Sequence, residues 1–231
     1  MNHEYNAKFA GLPCILKNPR RTFIIYHSLN VLTLRYPLVL ASGSPRRKQL
    51  MTDMGFSFTI ETRPTDETFP ETMPADEVAE YLARQKADQF RADFDIRRTA
   101  NRIILCADTV VILDNQILNK PQDETDARRM LRSLSGRTHR VRTGVAILAP
   151  GSTGEPRLYS FTDETTVQFA TLTENEITYY IRECQPFDKA GSYGAQDFIG
   201  LVGIEELNGS FYTVMGLPTH RVYQALKDYA D

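Results

Sequence analysis

The chain has 231 residues, of which 42% are apolar and 24% charged, with a formal net charge of −2. This length allows one large domain or two small lobes, and the composition is that of an ordinary globular protein. The near-neutral balance argues against a general nucleic-acid binder, which carries a basic excess or stripe, and no apolar run is long enough to span a membrane. Cys14, Cys106 and Cys184 are odd in number, far apart and in no metal-ligand spacing, which reads as reduced thiols in a cytoplasmic protein.

Residues 1–35 show weak periodicity. Phe23-Ile24-Ile25-Tyr26 has strand character, but Pro13, Pro19 and the Lys17/Arg20/Arg21 cluster interrupt any long pattern. The segment reads as a poorly ordered extension, with the folded domain over 36–231. Leu38-Val39-Leu40-Ala41 then reads as a buried strand, broken by Ser42-Gly43-Ser44. Pro45 opens a helix at the first helical position, where its missing N–H is harmless, and Gly55 is placed to end it. Arg46 and Arg47 fall in the first turn, where cations are disfavoured unless an anion lies between them. Two readings stand: a solvated helix start, or a phosphate site in which Ser42 and Ser44 join the arginines.

Residues 56–62 alternate as a strand, and 63–74 form a loop rich in proline and acids, including Asp66, Glu67 and Glu71. Such a loop is either a solvated acidic stretch or the source of one inward carboxylate. Residues 75–94 read as an amphipathic helix with Val78, Leu82 and Phe90 on one line. Lys86 lies on that line, four residues from both Leu82 and Phe90, so its ammonium either snorkels to solvent or lines a cleft. Residues 102–113 are apolar enough for a central strand buried on both faces. Asp108-Thr109 interrupts it, and a carboxylate there needs a cation, a metal or several hydrogen bonds.

Asp114-Asn115 marks a turn and 123–134 a helix, with Lys120 just before it. Residues 139–148 and 157–169 form an antiparallel pair, and His139 reads as a strand residue. Thr173-Glu174-Asn175-Glu176 is a capping box. The loop 188–196 combines Lys189, Tyr193, Gln196 and two glycines, suiting close approach to a ligand as well as an ordinary turn. Asn208-Gly209 predicts a hairpin between 202–207 and 210–214, and 219–229 a final helix. Several cations and a few inward acids thus recur at strand ends and loops of an α/β chain, the kit for a polyphosphate and a divalent metal. The P-loop pattern ending in Gly-Lys-Ser/Thr is absent.

At these positions the sequence resembles the Maf family of nucleoside triphosphate pyrophosphatases. The resemblance runs through Ala41-Ser42-Gly43-Ser44-Pro45-Arg46-Arg47, Ala83-Arg84-Gln85-Lys86-Ala87, Ala107-Asp108-Thr109-Val110-Val111, Asn119-Lys120-Pro121, Leu134-Ser135-Gly136-Arg137-Thr138-His139, the loop 188–196 and Gly216-Leu217-Pro218. It implies an α/β fold: a mixed β-sheet flanked by helices, in two lobes around a central cleft. It also implies cleavage between the α and β phosphates, with Asp108, Lys86 and Glu67 as catalytic groups and Asp108 as proton acceptor. Asp108 and Glu67 would hold Mg2+ or Mn2+, and Ser42, Ser44, Arg46, Arg47, Thr109, Lys120, Lys189 and Gln196 would bind substrate. Arg46, Thr109 and Gln196 are the specificity positions. The form of the loop 189–196, with Ser192 and Ala195 as small departures, points to the dTTP/UTP branch. The alternatives are a 7-methyl-GTP pyrophosphatase and a nucleotide-binding regulator of septum formation with little turnover. A small-molecule nucleotide partner, a homodimer and a cytoplasmic location complete the expectation, with neither nucleic acid nor membrane.

Overall fold

The computed structural model describes residues 32–94, 101–151 and 155–231. The predicted strand at 23–26, Cys14 and most of the expected extension lie outside them. Leu34 bridges Ala230, and the Arg35 N–H donates to the Tyr229 carbonyl at 2.9 Å, tying the start of the described chain to its end.

Among the described residues seven strands form one mixed sheet. In chain order they are β1 (Leu38–Leu40), β2 (Phe58–Ile60), β3 (Ile103–Leu113), β4 (Gln116–Leu118), β5 (Thr138–Pro150), β6 (Pro156–Phe169) and β7 (Ile204–Asn208). Their spatial order is β2-β1-β3-β5-β6-β7, with β4 on the far end of β3. The helices are α1 (Pro45–Asp53), α2 (Ala75–Asp88), α3 (Glu124–Leu134), α4 (Glu174–Cys184), α5 (Phe198–Gly203), α6 (Phe211–Met215) and α7 (Thr219–Lys227). Several begin and end where local chemistry requires. Ser44 caps α1 with Pro45 behind it, Thr173 and Glu176 form the capping box of α4, and Gly55 takes a left-handed φ of 78° just beyond α1.

The predicted hairpin across Asn208-Gly209 does not form. Residues 198–203 are helical, β7 pairs with β6 through Thr166–Asn208 and Val167–Leu207, and 211–215 form the short helix α6. A strand at 210–214 could satisfy only β7, whereas β6 already pairs with β5 on one side and offers its other edge. Gly216, at φ 108°, then ends α6 and turns the chain back toward the sheet.

One edge of β3 explains where a cleft can open. β1 pairs in parallel with its first residues (Leu38–Ile103 to Leu40–Leu105), and β4 pairs antiparallel with its last (Val111–Leu118 to Leu113–Gln116). Between them, residues 106–110 have no neighbouring strand on that edge, where the sheet changes from parallel to antiparallel pairing. A ligand crevice is favoured at such a switch in strand direction.

Alternation along β3 assigns its side chains to two faces. The even residues Ile104, Cys106, Val110 and Ile112 are buried in the clusters that include Ala79, Leu82, Ala83 and Ala87 of α2. On the odd face, Ile103, Leu105 and Ala107 join a core with α1 and α7, and Val111 and Leu113 join a second core with α3 and α4. These two cores divide this face of the sheet. Thr109 lies between them, and Asp108 faces the opposite way, toward α2.

Candidate active site

A cleft of about 1000 Å³ opens at the gap beside β3. Of the eleven sequence-predicted site residues, Ser42, Ser44, Arg46, Arg47, Glu67, Lys86, Asp108, Thr109, Lys120 and Lys189 line it, and Gln196 does not.

On the even face, Lys86 of α2 reaches Asp108 in a close ion pair and also lies 2.7 Å from Glu67 Oε1. Lys120 Nζ approaches the other Glu67 oxygen at 3.5 Å. The Lys86 and Asp108 side chains are only 17% and 14% exposed, so the pair is shielded, whereas Glu67 is 48% exposed at the rim. Lys86 therefore takes the cleft-lining option, and among the acids of the loop it is Glu67 that turns inward. Partial burial pushes the Glu67 carboxyl up, but the hydrogen bond and charge of Lys86, helped by Lys120, outweigh it and hold it below the usual carboxylate range. Backbone contact brings Lys86 to Asp108. Gly144 sits directly across from Asp108, and a Cβ there would fall 2.2 Å from the Ala79 carbonyl oxygen of α2. The missing side chain lets α2 lie against the strand.

On the odd face, Arg47 is held by three bonds from one guanidinium. Its Nε donates to the Gly216 carbonyl at 2.7 Å, Nη1 to Ser42 Oγ at 3.2 Å and Nη2 to Thr109 Oγ1 at 3.1 Å. Burial pushes its guanidinium below the ordinary value, and the Asp108 charge opposes that shift. The two arginines of the first helical turn thus divide: Arg47 folds back into the protein, and Arg46 stays at the cleft, pairing with Asp188 at 3.0 Å. Asp188 also accepts from Lys189 Nζ at 2.8 Å, and Lys189 is almost fully buried. Asp188 carried no predicted role. Its place in the motif gave the only signal, because a carboxylate beside one lysine is ordinary in sequence.

Gln196 lies behind the cleft wall. Its Nε2 donates to Asp197 Oδ1 at 2.9 Å, and its Oε1 is buried without a hydrogen-bond partner among the described residues. The loop before it is fixed from behind as well. Tyr180, fully buried, accepts from the Gly194 N–H at 3.1 Å and donates to Asp197 at 2.9 Å, and His139 meets the Tyr193 hydroxyl at 2.6 Å. His139 is thus both a strand residue and a buried support of the loop. Burial depresses its pKa to about 4.

Asp108 and Glu67 both turn hard oxygen donors into one corner of the cleft, each with one oxygen on the Lys86 ammonium. No cluster of three or more His, Cys, Asp or Glu assembles to hold a metal among the described residues. That donor set fits a magnesium-like ion carried by one or two carboxylates and completed by water and phosphate oxygens. No helix is long and apolar enough to cross a membrane among the described residues.

A dTTP/UTP pyrophosphatase of Phocaeicola vulgatus is 44% identical over 194 residues, 84% of this chain and 96% of that protein. Another from Porphyromonas gingivalis is 44% identical over 198 residues, 85% of this chain and 96% of that protein. Among solved structures, the Ham1 protein of Staphylococcus aureus aligns over 82% of this chain and 99% of its own at 11% identity and a TM-score of 0.44, too loose a likeness to inform the site. The family model described as Maf-like protein matches residues 37–229, from the residue before β1 to two residues beyond α7. With that match and relatives of this identity, the chain belongs to the Maf-like protein family.

Proposed function

We propose that this protein hydrolyses dTTP and UTP between the α and β phosphates, giving the nucleoside monophosphate and pyrophosphate. The relatives named for that activity support the substrate. The observation that carries the chemistry is the shielded Asp108 carboxylate, gripped by Lys86 in a cleft whose other walls carry Arg46, Lys120 and Lys189.

The residues divide the work. Lys86 fixes the Asp108 carboxylate at the gap in the sheet, and Asp108 takes the proton of the water that attacks the α-phosphorus. The new bond joins that water oxygen to phosphorus, the bond to the bridging oxygen breaks, and pyrophosphate departs with the electron pair. Arg46, Lys120 and Lys189 offset the charge of the triphosphate and the leaving group. Arg47, bound from three sides, keeps the turn at 42–44 in a fixed orientation. Asp108 and Glu67 would hold Mg2+ or Mn2+, which when bound would supply Lewis-acid polarisation of the phosphate. Glu67 is suited to this because it stays anionic across the neutral range.

The test is the identity of the products. Phosphorus NMR of dTTP incubated with the protein and magnesium is expected to show dTMP and pyrophosphate appearing together. Formation of dTDP and orthophosphate would place the cut at the wrong bond and overturn the proposal.

A further inference from the structure

Thr109, Thr143 and Asp163 are cross-strand neighbours on β3, β5 and β6. They share the odd face of the sheet and form a polar seam between the two apolar cores. Thr143 is fully buried and does not line the cleft. Its hydroxyl has one proton to give, and that proton goes to the Thr213 carbonyl, 2.8 Å away. Thr143 Oγ1 also lies 2.9 Å from Thr109 Oγ1. With its own proton committed, Thr143 must accept there, so Thr109 donates. Thr109 in turn accepts from Arg47 Nη2.

The chain of bonds closes on itself. Arg47 Nε donates to the Gly216 carbonyl, and the Gly216 N–H donates at 3.0 Å to the same Thr213 carbonyl that receives the Thr143 proton. Arg47, Thr109, Thr143, Thr213 and Gly216 therefore form a closed ring, in which the Gly216 N–H is shared between the Thr213 carbonyl and the Tyr212 carbonyl at 3.1 Å. The backbone at residue 216 favours glycine. At φ 108° a Cβ would strain the backbone and sit 3.3 Å from Thr109 Oγ1 and 3.5 Å from Arg47 Nε.

We propose that Thr143 is a positioning residue that fixes the proton of Thr109 away from the cleft, so that Thr109 presents only a lone pair to the ligand. This rests on the reading that the ligand is a pyrimidine nucleoside triphosphate whose base edge meets Thr109 at the cleft wall. A lone pair at that wall favours a base edge that donates, the N3–H of thymine or uracil. It disfavours cytosine, whose N3 is itself an acceptor. Discrimination of this kind is strong because a mismatched edge leaves buried polar groups unpaired.

The experiment compares the wild type with Thr143→Val, which keeps the shape and loses the hydroxyl, and Thr143→Ser, which keeps the hydroxyl. In Thr143→Val the Thr109 proton is free to turn into the cleft. The ratio of kcat/KM for UTP over CTP is expected to fall about tenfold, and Thr143→Ser is expected to retain it. A readout without substrate accompanies this. The Arg47 Nε–H, locked onto Gly216 in the ring, is expected to exchange with solvent about tenfold faster in Thr143→Val by nitrogen-edited NMR, and near the wild-type rate in Thr143→Ser. An unchanged ratio or an unchanged exchange rate in Thr143→Val overturns the proposal, as does a Thr143→Ser variant no better than Thr143→Val. If the wild type cleaves no pyrimidine triphosphate, the substrate reading fails, and the exchange rates alone decide the role of Thr143.

Discussion

Asp108 and Thr109 are adjacent in sequence and serve opposite faces of one strand by different physics. The Asp108 face is built from full charges: Lys86 between two carboxylates, with Lys120 at the rim. Around Thr109 itself the contacts are hydroxyls and backbone carbonyls about one guanidinium, and the charges of Arg46, Asp188 and Lys189 pair among themselves at the cleft. Charges act over several ångströms and tolerate small shifts, whereas a ring of single-proton hydroxyls depends on each member being present. The Asp108 cluster is therefore suited to moving a proton, and the Thr109 ring to holding a fixed pattern of donors and acceptors.

The largest expected effect lies on the charged face. Asp108→Asn removes the proton acceptor and leaves Lys86 with Glu67 alone, and kcat on dTTP is expected to fall about a thousandfold, with unchanged far-UV circular dichroism. Lys86→Met leaves Asp108 without its anchor. Steady-state kinetics are expected to show a loss of about a hundredfold, mostly in kcat. A loss in KM alone would make Lys86 a ground-state phosphate contact rather than the support of Asp108.

The third prediction concerns the support behind the loop 188–196. Buried His139 has a folded pKa of about 4, against about 6.5 in an unfolded chain. The unfolded state thus binds the proton more readily between those values. Stability is full above about pH 6.5 and declines as pH falls toward 4. Urea unfolding at pH 7 and pH 5 is expected to show a loss of about 2 kcal/mol from this group. His139→Gln should lose less than the wild type over the same interval; an equal loss would assign the pH dependence to other groups. The smallest effect is expected at the rim, where Lys120→Ala should raise KM for dTTP about threefold and leave kcat alone, because an exposed charge is screened.

How far these two faces could be read from the sequence follows the same division. Lys86 stood out because a cation on an apolar helix line is costly, and Asp108 because a carboxylate in a central strand needs a partner. The elements that carry them were equally legible: Pro45 at a helix start, the Thr173 and Glu176 capping box, and the long antiparallel pair β5 and β6. Thr143 gave no signal, since a threonine in a strand is what a strand prefers, and its role exists only in the register that sets it against Thr109. Which of Asp66, Glu67 and Glu71 turns inward depends on how the loop closes over α2. The hairpin expected at Asn208-Gly209 failed for a related reason. Turn chemistry is local, and the open edge of β6 that captured β7 is set by residues more than thirty positions away. Gln196 carries the right groups for a base edge, yet it does not line the cleft, and its Nε2 donates to Asp197 instead.

The central claim is that this cleft acts on a nucleoside triphosphate with a keto pyrimidine base. The most direct measurement is pyrophosphate release by the wild-type protein from dTTP, UTP, CTP, GTP and 7-methyl-GTP, each with magnesium or manganese. Faster release from dTTP and UTP than from the other three is the predicted result. Preference for 7-methyl-GTP would keep the chemistry of Asp108 and contradict the base reading. No release from any of the five would contradict the account as a whole.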